Sequence, residues 1–535
     1  MIFRYRSVLL LTVLFAGAFA VASAADKAPV VKTRTGKVRG KLSSDGQVRV
    51  FLGIPYAAPP VGPSRWQPPQ PAEKWPGVRD ATNFGNRCVQ TNPSEDMVFR
   101  DPGQSEDCLN LNVWTPAENK HANLPVMVWI FGGGFAGGAT SEPRQDGVYL
   151  AHKNVVVVSM NYRLGFFGFF VSPELAAESP QHAAGNYGLM DQTAALRWVQ
   201  ENIKEFGGDP KNVTIFGESA GSSSVSTQVA SPLAQGLFAR AIGESGAPFH
   251  SRALSYAPLA MREKADPDFA QQVLGTSDLK ALRAMSWQDI LQKLRAHRGR
   301  RPFQPDIDGW FLPESVPQIY AEGKQAHIPV MAGWNRDEPS ALDINRPAPP
   351  TLESYHAMAE RDFGARADDF LKVFPADNEA QMIRSDIAYG GAKFTLFPTW
   401  EWLEMQVKTG GQPVYRYYFM RPAPESQYAP AGSGAFHSDE IEYVFGTLDS
   451  RPGAHWEPAD YQISNLMQTY WTNFARTGNP NGSDTSQVPN WPQYNAGDDW
   501  QVMNLDVSSV AKPDAHRDRW LFLQSVWNTN QPQQP

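Results

Sequence analysis

The chain has 535 residues, of which 42% are hydrophobic and 12% aromatic, so it can bury a large core and is not globally disordered. Its 43 glycines and 44 prolines follow no period, which excludes collagen-like and repeat architectures. The 55 acidic and 48 basic side chains give a formal net charge of −7, so charge gives no reason to expect a nucleic-acid partner. Length alone favours three or four domains.

The first 24 residues have the pattern of a signal peptide. Arg4 and Arg6 precede an apolar stretch at 8–22, and residues 22–24 (Ala-Ser-Ala) form a small-residue cleavage site. The apolar stretch is short for a membrane span and no stop-transfer segment follows it, although an uncleaved anchor is the alternative. We therefore expect an exported protein, periplasmic or secreted, with no membrane attachment after cleavage.

Two cysteines, Cys88 and Cys108, lie close together in the sequence. In an oxidising compartment such a lone pair is most simply one disulfide that closes a surface loop. A redox or metal role is the weaker alternative, because neither a CxxC motif nor a Cys/His ligand spacing is present. No HExxH, Walker A or EF-hand pattern occurs either, so we expect no metal and no cofactor.

Short β-branched runs predict strands that are buried on both faces, because the runs are continuously apolar rather than alternating. These runs are 126–131, 155–160, 213–216, 328–333 and 414–419. A helical period at 195–206 lies between the second and third runs and ends at two glycines, which implies a right-handed crossover and a mainly parallel sheet. Helical patterns at 260–325 and 461–476 predict helices packed over this sheet.

Residues 217–221 fit the pattern G-x-S-x-G around Ser219. Chance matches are common, but this one directly follows the predicted strand 213–216 and leads into a helical stretch at 220–229. Small neighbours allow Ser219 to sit on a tight strand-to-helix turn with its hydroxyl exposed, and the helix N-terminus favours developing negative charge. The sequence therefore predicts a nucleophilic serine, with an ordinary turn serine as the alternative.

A run of glycines at 132–134 follows the predicted strand 126–131. Glycines let backbone N–H groups approach a reacting carbonyl, so this run indicates donors for an oxyanion. Gly132, Gly134 and Gly137 also satisfy GxGxxG. A dinucleotide site is disfavoured because residues 139–147 are polar and broken by proline rather than helical.

The base and its orienting acid follow the last two predicted strands. Of ten histidines, His437 lies in a glycine-rich loop after strand 414–419, where the carboxyl edge of a parallel sheet carries functional side chains. Asp337 and Glu338 follow strand 328–333, although a solvated turn is the alternative for such a pair. The order serine, acid, histidine is that of α/β-hydrolases.

With these motifs, the chain resembles the type-B carboxylesterases, the cholinesterase-like branch of the α/β-hydrolases, over nearly all of residues 30–525. Further stretches that carry the resemblance are 51–57, 105–113, 161–163, 185–192, 307–309 and 470–475. The resemblance implies an α/β-hydrolase fold, with a mostly parallel central sheet and helices on both faces. It also implies a single domain at 25–535, which corrects the expectation from length.

The resemblance assigns roles to the candidate residues. It implies Ser219 as nucleophile, His437 as general base and then acid, and Glu338 as the residue that orients the imidazole. It also implies the supporting groups, which are the oxyanion donors Gly133, Gly134 and Ala220, the disulfide Cys88–Cys108, and Ser245 beside the acid. The implied activity is hydrolysis of a small-molecule carboxylic ester through an acyl-enzyme intermediate.

Two residues depart from the family pattern. Pro339 stands where the family usually has glycine, and it restricts Glu338 to extended conformations. Val98 stands where cholinesterases have the tryptophan that binds choline, so we do not expect choline esters as substrates. A catalytically silent interaction protein of the same fold is the alternative function, but such members usually lack part of the triad.

A basic segment at 295–302 precedes residues 307–309, and in the resembling enzymes this region lines the acyl pocket. We hypothesise that Arg298, Arg300 and Arg301 bind a carboxylate on the acyl group, as in tricarballylate or fumonisin-like esters, because arginine suits bidentate carboxylate recognition. A solvated basic helix end is the alternative.

Overall fold

The computed structural model describes residues 28–91, 96–250, 256–297, 303–339 and 350–527. The predicted signal peptide at 1–24 lies outside these ranges, and so do Arg298, Arg300 and Arg301. Among the residues that the structure describes, none of the helices combines the length and apolar composition that crossing a bilayer requires.

The strands of the described ranges, numbered in chain order, are short at the amino terminus and longer in the middle of the chain. They are β1 Val30–Lys32, β2 Lys37–Arg39, β3 Lys41–Leu42, β4 Arg49–Pro55, β5 Val78–Asp80, β6 Arg87–Cys88, β7 Gln104–Ser105, β8 Asn110–Thr115, β9 Leu124–Ile130, β10 Val156–Met160, β11 Gly208–Glu218, β12 Arg240–Glu244, β13 Ala257–Pro258, β14 Asp306–Ile307, β15 Val330–Asn335, β16 Val414–Phe419, β17 Gln501–Leu505 and β18 Val510–Pro513.

Eleven of these strands form one mixed sheet with the order β18-β17-β16-β15-β12-β11-β9-β10-β8-β4-β3. Neighbours from β10 to β17 are parallel, whereas the pairs at the two ends of the sheet are antiparallel. The predicted, mostly parallel sheet is therefore confirmed. The five apolar runs are its strands β9, β10, β11, β15 and β16, and β9 and β10 are buried almost throughout.

Helices connect and cover these strands. The α-helices of the described ranges are Val148–Ala151, Gly165–Phe169, Pro173–Glu178, Tyr187–Asn202, Ala220–Ala230, Leu259–Leu274, Leu279–Ala284, Trp287–Ala296, Val316–Ala321, Leu352–Phe363, Ala367–Val373, Glu379–Gly391, Phe397–Thr409, Ile441–Phe445, Pro458–Thr477 and Arg517–Trp527. The crossover helix continues as a 3₁₀ turn, Ile203–Phe206, and ends at Gly207 with φ 87°, as the predicted stop signal requires.

Helices pack on both faces of the sheet, as neighbouring residues of β12 show. A Cβ on Gly243 would contact Ser222 Oγ and the ring of Trp402, which belong to helices on one face. Glu244 points the other way, and its Oε1 accepts a hydrogen bond from Trp471 Nε1 at 2.7 Å, from the helix Pro458–Thr477. Successive strand residues face opposite sides of a sheet, so both faces of β12 are covered.

The two cysteines form a disulfide near the amino-terminal edge of the fold. Cys88 and Cys108 have Cα atoms 5.0 Å apart, and both residues are buried. The bridge closes a segment with a sequence separation of 20 residues, as their spacing predicts.

Candidate active site

Ser219 occupies a strained turn between β11 and the helix Ala220–Ala230. Its φ of 57° and ψ of −120° are rare for a residue with a side chain, and such strain persists only where the surroundings enforce it. Ser219 N donates to Glu244 O at 2.7 Å. Glycines on either side, Gly217 and Gly221, leave no room for a Cβ against the carbonyl oxygen of Ile130. Strand β9 can therefore approach the turn closely and fix it.

The predicted serine, histidine and acid form one continuous hydrogen-bonded chain. His437 Nε2 lies 2.9 Å from Ser219 Oγ, and His437 Nδ1 lies 2.5 Å from Glu338 Oε2. A neutral imidazole that donates from Nδ1 to the carboxylate leaves its Nε2 lone pair for the serine hydroxyl. This is the arrangement that general-base activation of a hydroxyl requires.

The turn that carries Glu338 is fixed by a hydrogen bond between a backbone N–H of the turn and the Glu338 carboxylate. Glu338 is 1% exposed, and its Oε1 accepts a hydrogen bond from Asn335 N at 2.8 Å. The Asn335 side chain donates to Phe436 O at 2.7 Å and also to the carboxylate of Glu440. The end of β15 is thereby tied to the loop that carries the histidine.

The two members of the acidic pair have different partners. Asp337 N donates to Ala435 O at 2.9 Å, and Ala435 N donates back to Asp337 Oδ2 at 2.9 Å. Asp337 also pairs with Arg336 at 2.8 Å. Asp337 therefore holds the histidine loop, whereas Glu338 faces the imidazole.

A second carboxylate, which no sequence motif indicates, also faces the imidazole. Glu218 Oε1 lies 3.2 Å from His437 Nε2, and the Glu218 side chain is 4% exposed. Burial raises the pKa of Glu218 to about 7, although His437 and Arg144 oppose this rise. For His437, burial lowers the pKa, but the carboxylates of Glu218 and Glu338 outweigh it and raise the pKa to about 9.

The glycine run lies directly against the serine turn. A Cβ on Gly132 would come within 3.0 Å of Ser219 Cβ. Gly133 and Gly134 follow with φ values of 102° and 63°, which glycine adopts readily. Ala220 is the first residue of its helix, so its N–H has no acceptor within the helix. The three predicted amide donors therefore belong to the segments that border Ser219.

Ser245 is the predicted residue without a visible role in the hydrogen-bonded chain. Its backbone is strained, with φ 56°, and its N–H donates to Gly333 O at 2.9 Å. Its hydroxyl is buried and forms no hydrogen bond to the part of the chain that the structure describes. A direct bond to Glu338 is therefore not formed here, and the support of the acid by Ser245 stays a prediction.

An aromatic ring packs against His437, and a cavity lies beside Phe436, the residue that precedes it in the chain. The ring of Phe394, from the π-helical turn Ala392–Leu396, packs edge-on against the imidazole with 4.8 Å between centroids. Val98 is 45% exposed and lines a cavity of about 190 Å³ together with Arg144 and Phe436. In the described ranges, no group of three or more His, Cys, Asp or Glu side chains is arranged to hold a metal ion.

A family model described as "Carboxylesterase family" matches residues 27–520, which is nearly the whole chain. The chain belongs to the carboxylesterase family. It is therefore a carboxylic-ester hydrolase with an α/β-hydrolase fold, and the family indicates small-molecule esters as its substrates.

Relatives of this carboxylesterase are similar over almost their full length. Fumonisin B1 esterase of Sphingopyxis macrogoltabida is 36% identical, with 92% of this chain and 90% of that protein covered. Para-nitrobenzyl esterase of Bacillus subtilis (strain 168) is 36% identical, with 92% and 98% covered. Human cocaine esterase is also 36% identical, with 91% and 90% covered. These relatives share one reaction type, and their names give different substrates.

Proposed function

We propose that this carboxylesterase cleaves its ester through a triad of Ser219, His437 and Glu338 and an acyl-enzyme intermediate. The observation that carries the proposal is the unbroken hydrogen-bonded chain from hydroxyl to imidazole to carboxylate, with distances of 2.9 and 2.5 Å. Strain at a serine on a strand-to-helix turn adds support, because such strain concentrates at functional sites.

The reaction proceeds in two acyl-transfer steps. Ser219 Oγ attacks the ester carbonyl while His437 Nε2 takes the hydroxyl proton, and Glu338 stabilises the imidazolium that results. The oxyanion accepts hydrogen bonds from the amides of Gly133, Gly134 and Ala220. His437 then protonates the departing alcohol. A water molecule, activated by the same imidazole, releases the acid and restores the serine.

Replacing the nucleophile tests the proposal. We expect Ser219→Ala to keep its fold and to lower kcat for p-nitrophenyl butyrate by about 10⁴-fold or more. Ser223→Ala is the matched control, because Ser223 lies one turn further along the same helix and its hydroxyl has no described hydrogen-bond partner. Near-normal turnover by folded Ser219→Ala enzyme would contradict the assignment.

The substrate proposal is a carboxylate-bearing acyl group, such as a tricarballylate or fumonisin-like half-ester. It is supported by the basic segment at 295–302 and by the similarity to Fumonisin B1 esterase. The first residue of the segment is held in place by a hydrogen bond, since Arg295 Nε donates to Thr91 O at 2.9 Å. Arg298, Arg300 and Arg301 follow directly in the sequence.

Acyl preference can be measured with a pair of esters of similar size. We expect kcat/KM for monoethyl succinate to exceed that for ethyl butyrate by about tenfold, and Arg301→Ala to remove this preference. Arg295→Ala is the control, since Arg295 is already engaged with backbone carbonyls. Equal kcat/KM values for the two esters in the unmodified enzyme would contradict the proposal of a carboxylate-bearing acyl group.

We also propose that residues 1–24 are removed on export. The disulfide supports an oxidising destination, because such bonds persist mainly outside the cytosol. Amino-terminal sequencing of the exported protein tests this, with Ala25 expected as the first residue.

A further inference from the structure

A second cavity, of about 250 Å³, lies between strands β15–β18 and the helix Arg517–Trp527. We call it the basic cavity, because the charged side chains that line it are mostly cationic. They are Arg336, Arg416, Lys512 and Arg519, together with Asp514. None of the residues proposed above for ester hydrolysis lines it.

The positive charge of the basic cavity is only partly compensated. Arg336 pairs with Asp337 at 2.8 Å, and Arg416 pairs with Asp514. Arg519 donates from Nε to the backbone carbonyl of Val373 at 2.8 Å. Neither Arg519 nor Lys512 forms an ion pair with a carboxylate in the described ranges. Ion pairs thus account for two of the four cations, and Asp518 and Asp514 act on Arg519 only through their field, without a direct ion pair.

A buried donor in the wall of this cavity also lacks an acceptor. The Arg416 side chain is 3% exposed, and its guanidinium lies over the ring of Trp334, 4.0 Å from the centroid. Its Nε is buried and has no hydrogen-bond partner in the described part of the chain. Leaving a charged donor buried without an acceptor costs free energy, and native structures usually supply a partner.

His516 lies in the same wall, and its pKa responds to the charges around the cavity. Burial lowers the pKa of His516, the cations of Arg519 and Arg416 add to this effect, and together they bring it to about 4 despite Asp514. The imidazole is therefore neutral near pH 7. Burial also lowers the pKa of the Arg519 guanidinium. A bound anion would oppose both effects.

We propose that the basic cavity binds a small multivalent oxyanion, either a di- or tricarboxylate or inorganic phosphate, at a site separate from the ester-hydrolysing centre. Guanidinium groups recognise both kinds of oxyanion through paired hydrogen bonds. Lys512 is exposed and lines the cavity, where it adds a positive charge. The proposal does not depend on the triad.

Calorimetric titration of the full chain tests the site. Ser219→Ala enzyme is titrated separately with tricarballylate, inorganic phosphate and the uncharged tricarballylamide, which is not an ester. We expect saturable binding of tricarballylate, phosphate or both that Lys512→Gln weakens, and no binding of the neutral triamide. Binding of tricarballylate alone identifies an organic-acid site, and binding of phosphate alone identifies a phosphate site.

Variants locate the binding. We expect Arg519→Gln and Lys512→Gln each to raise the Kd of the anion by about tenfold, as loss of a charge-assisted contact does. Arg361→Gln is the matched control, because it removes one positive charge from a side chain that is 70% exposed and paired with Asp362. Lys512 is exposed, so its variant keeps the test meaningful even if Arg519→Gln fails to fold.

A second readout comes from the His516 imidazole. We expect saturating anion to raise its pKa, measured by NMR, in the Ser219→Ala enzyme and much less in Lys512→Gln enzyme that also carries Ser219→Ala. Failure of both anions to bind, or equal binding by Arg519→Gln, Lys512→Gln and Arg361→Gln, would overturn the proposal. Hydrolysis of p-nitrophenyl butyrate by the same variants with Ser219 intact is expected to be unchanged, because none of them alters a residue proposed for ester hydrolysis.

Discussion

At the residue scale, the imidazole of His437 lies between two carboxylates with different positions. Glu338 contacts Nδ1 at 2.5 Å, and Glu218 lies 3.2 Å from Nε2, on the side of the serine hydroxyl. Both are buried, so their charges act through a medium that screens weakly. When the imidazole accepts the serine proton, the two carboxylates stabilise the same cation. We therefore expect the charge of Glu218, together with that of Glu338, to influence the pH range over which the base is available.

This arrangement predicts how the pH profile responds to Glu218→Gln. A neutral amide stabilises the imidazolium less, so the pKa of His437 falls from the raised value of about 9. The base is active when unprotonated, so the acidic limb of kcat/KM moves to lower pH. The measurement is the profile with p-nitrophenyl butyrate.

Glu178→Gln is the control for this profile, because Glu178 forms an exposed pair with Arg283 at 2.8 Å. A limb that stays in place, or moves to higher pH, in Glu218→Gln enzyme would show that the Glu218 charge does not act on the base.

Individual site residues differed in how well the sequence could indicate them. Ser219, His437 and the pair Asp337 and Glu338 were predicted from motif, position after strands and order along the chain, and the choice of Glu338 came from the family resemblance. Glu218 was not, because the second residue of G-x-S-x-G carries no pattern and its approach to the imidazole depends on the strained turn. Asn335 was missed for a similar reason, since its two partners come from a loop about 100 residues later.

At the element scale, the turn that holds the serine depends on how closely β9 approaches β11 and the following helix. Gly217 and Gly221 face the carbonyl of Ile130, the last residue of β9. Side chains at these positions would push the strand and the helix apart. The glycines of the motif therefore serve packing between elements as much as the conformation of the turn.

Gly221→Ala tests this packing. The new Cβ would collide with Ile130 O, and such overpacking lowers the free energy of unfolding by about 1–3 kcal/mol. Urea unfolding measures the loss. Gly497→Ala is the control, because its Cβ would meet only Asn495 Oδ1, at 3.1 Å. Equal unfolding midpoints for the two variants would contradict a close contact between Gly221 and the end of β9.

The central strands could be predicted because burial on both faces leaves an uninterrupted apolar signal. Strand β12 was missed although it lies in the middle of the sheet, since Arg240–Glu244 begins and ends with charged residues. Strands β4 and β8 were missed as well: β8 is buried throughout, but Asn110 and Asn112 interrupt its apolar run, and β4 contains a glycine and ends at a proline. The start of β11 was placed five residues late, where its pairing with β9 shifts register.

At the scale of the whole molecule, one buried hydrophobic cluster extends from Val31 to Val526. It supports a single domain over residues 25–535, which stays a prediction. Membership of the carboxylesterase family confirms the fold class and the reaction type that the motifs indicated. The order of the strands could not be derived from spacing, because it depends on pairings between segments hundreds of residues apart.

The disulfide has a consequence for how the chain matures. With two cysteines in the entire sequence, a single chain can form only one internal bridge, the one between Cys88 and Cys108. Mispaired isomers within one molecule are therefore impossible, and no reshuffling step delays oxidation. The bridge needs an oxidant to form, and pairing within one chain needs no isomerase to correct it.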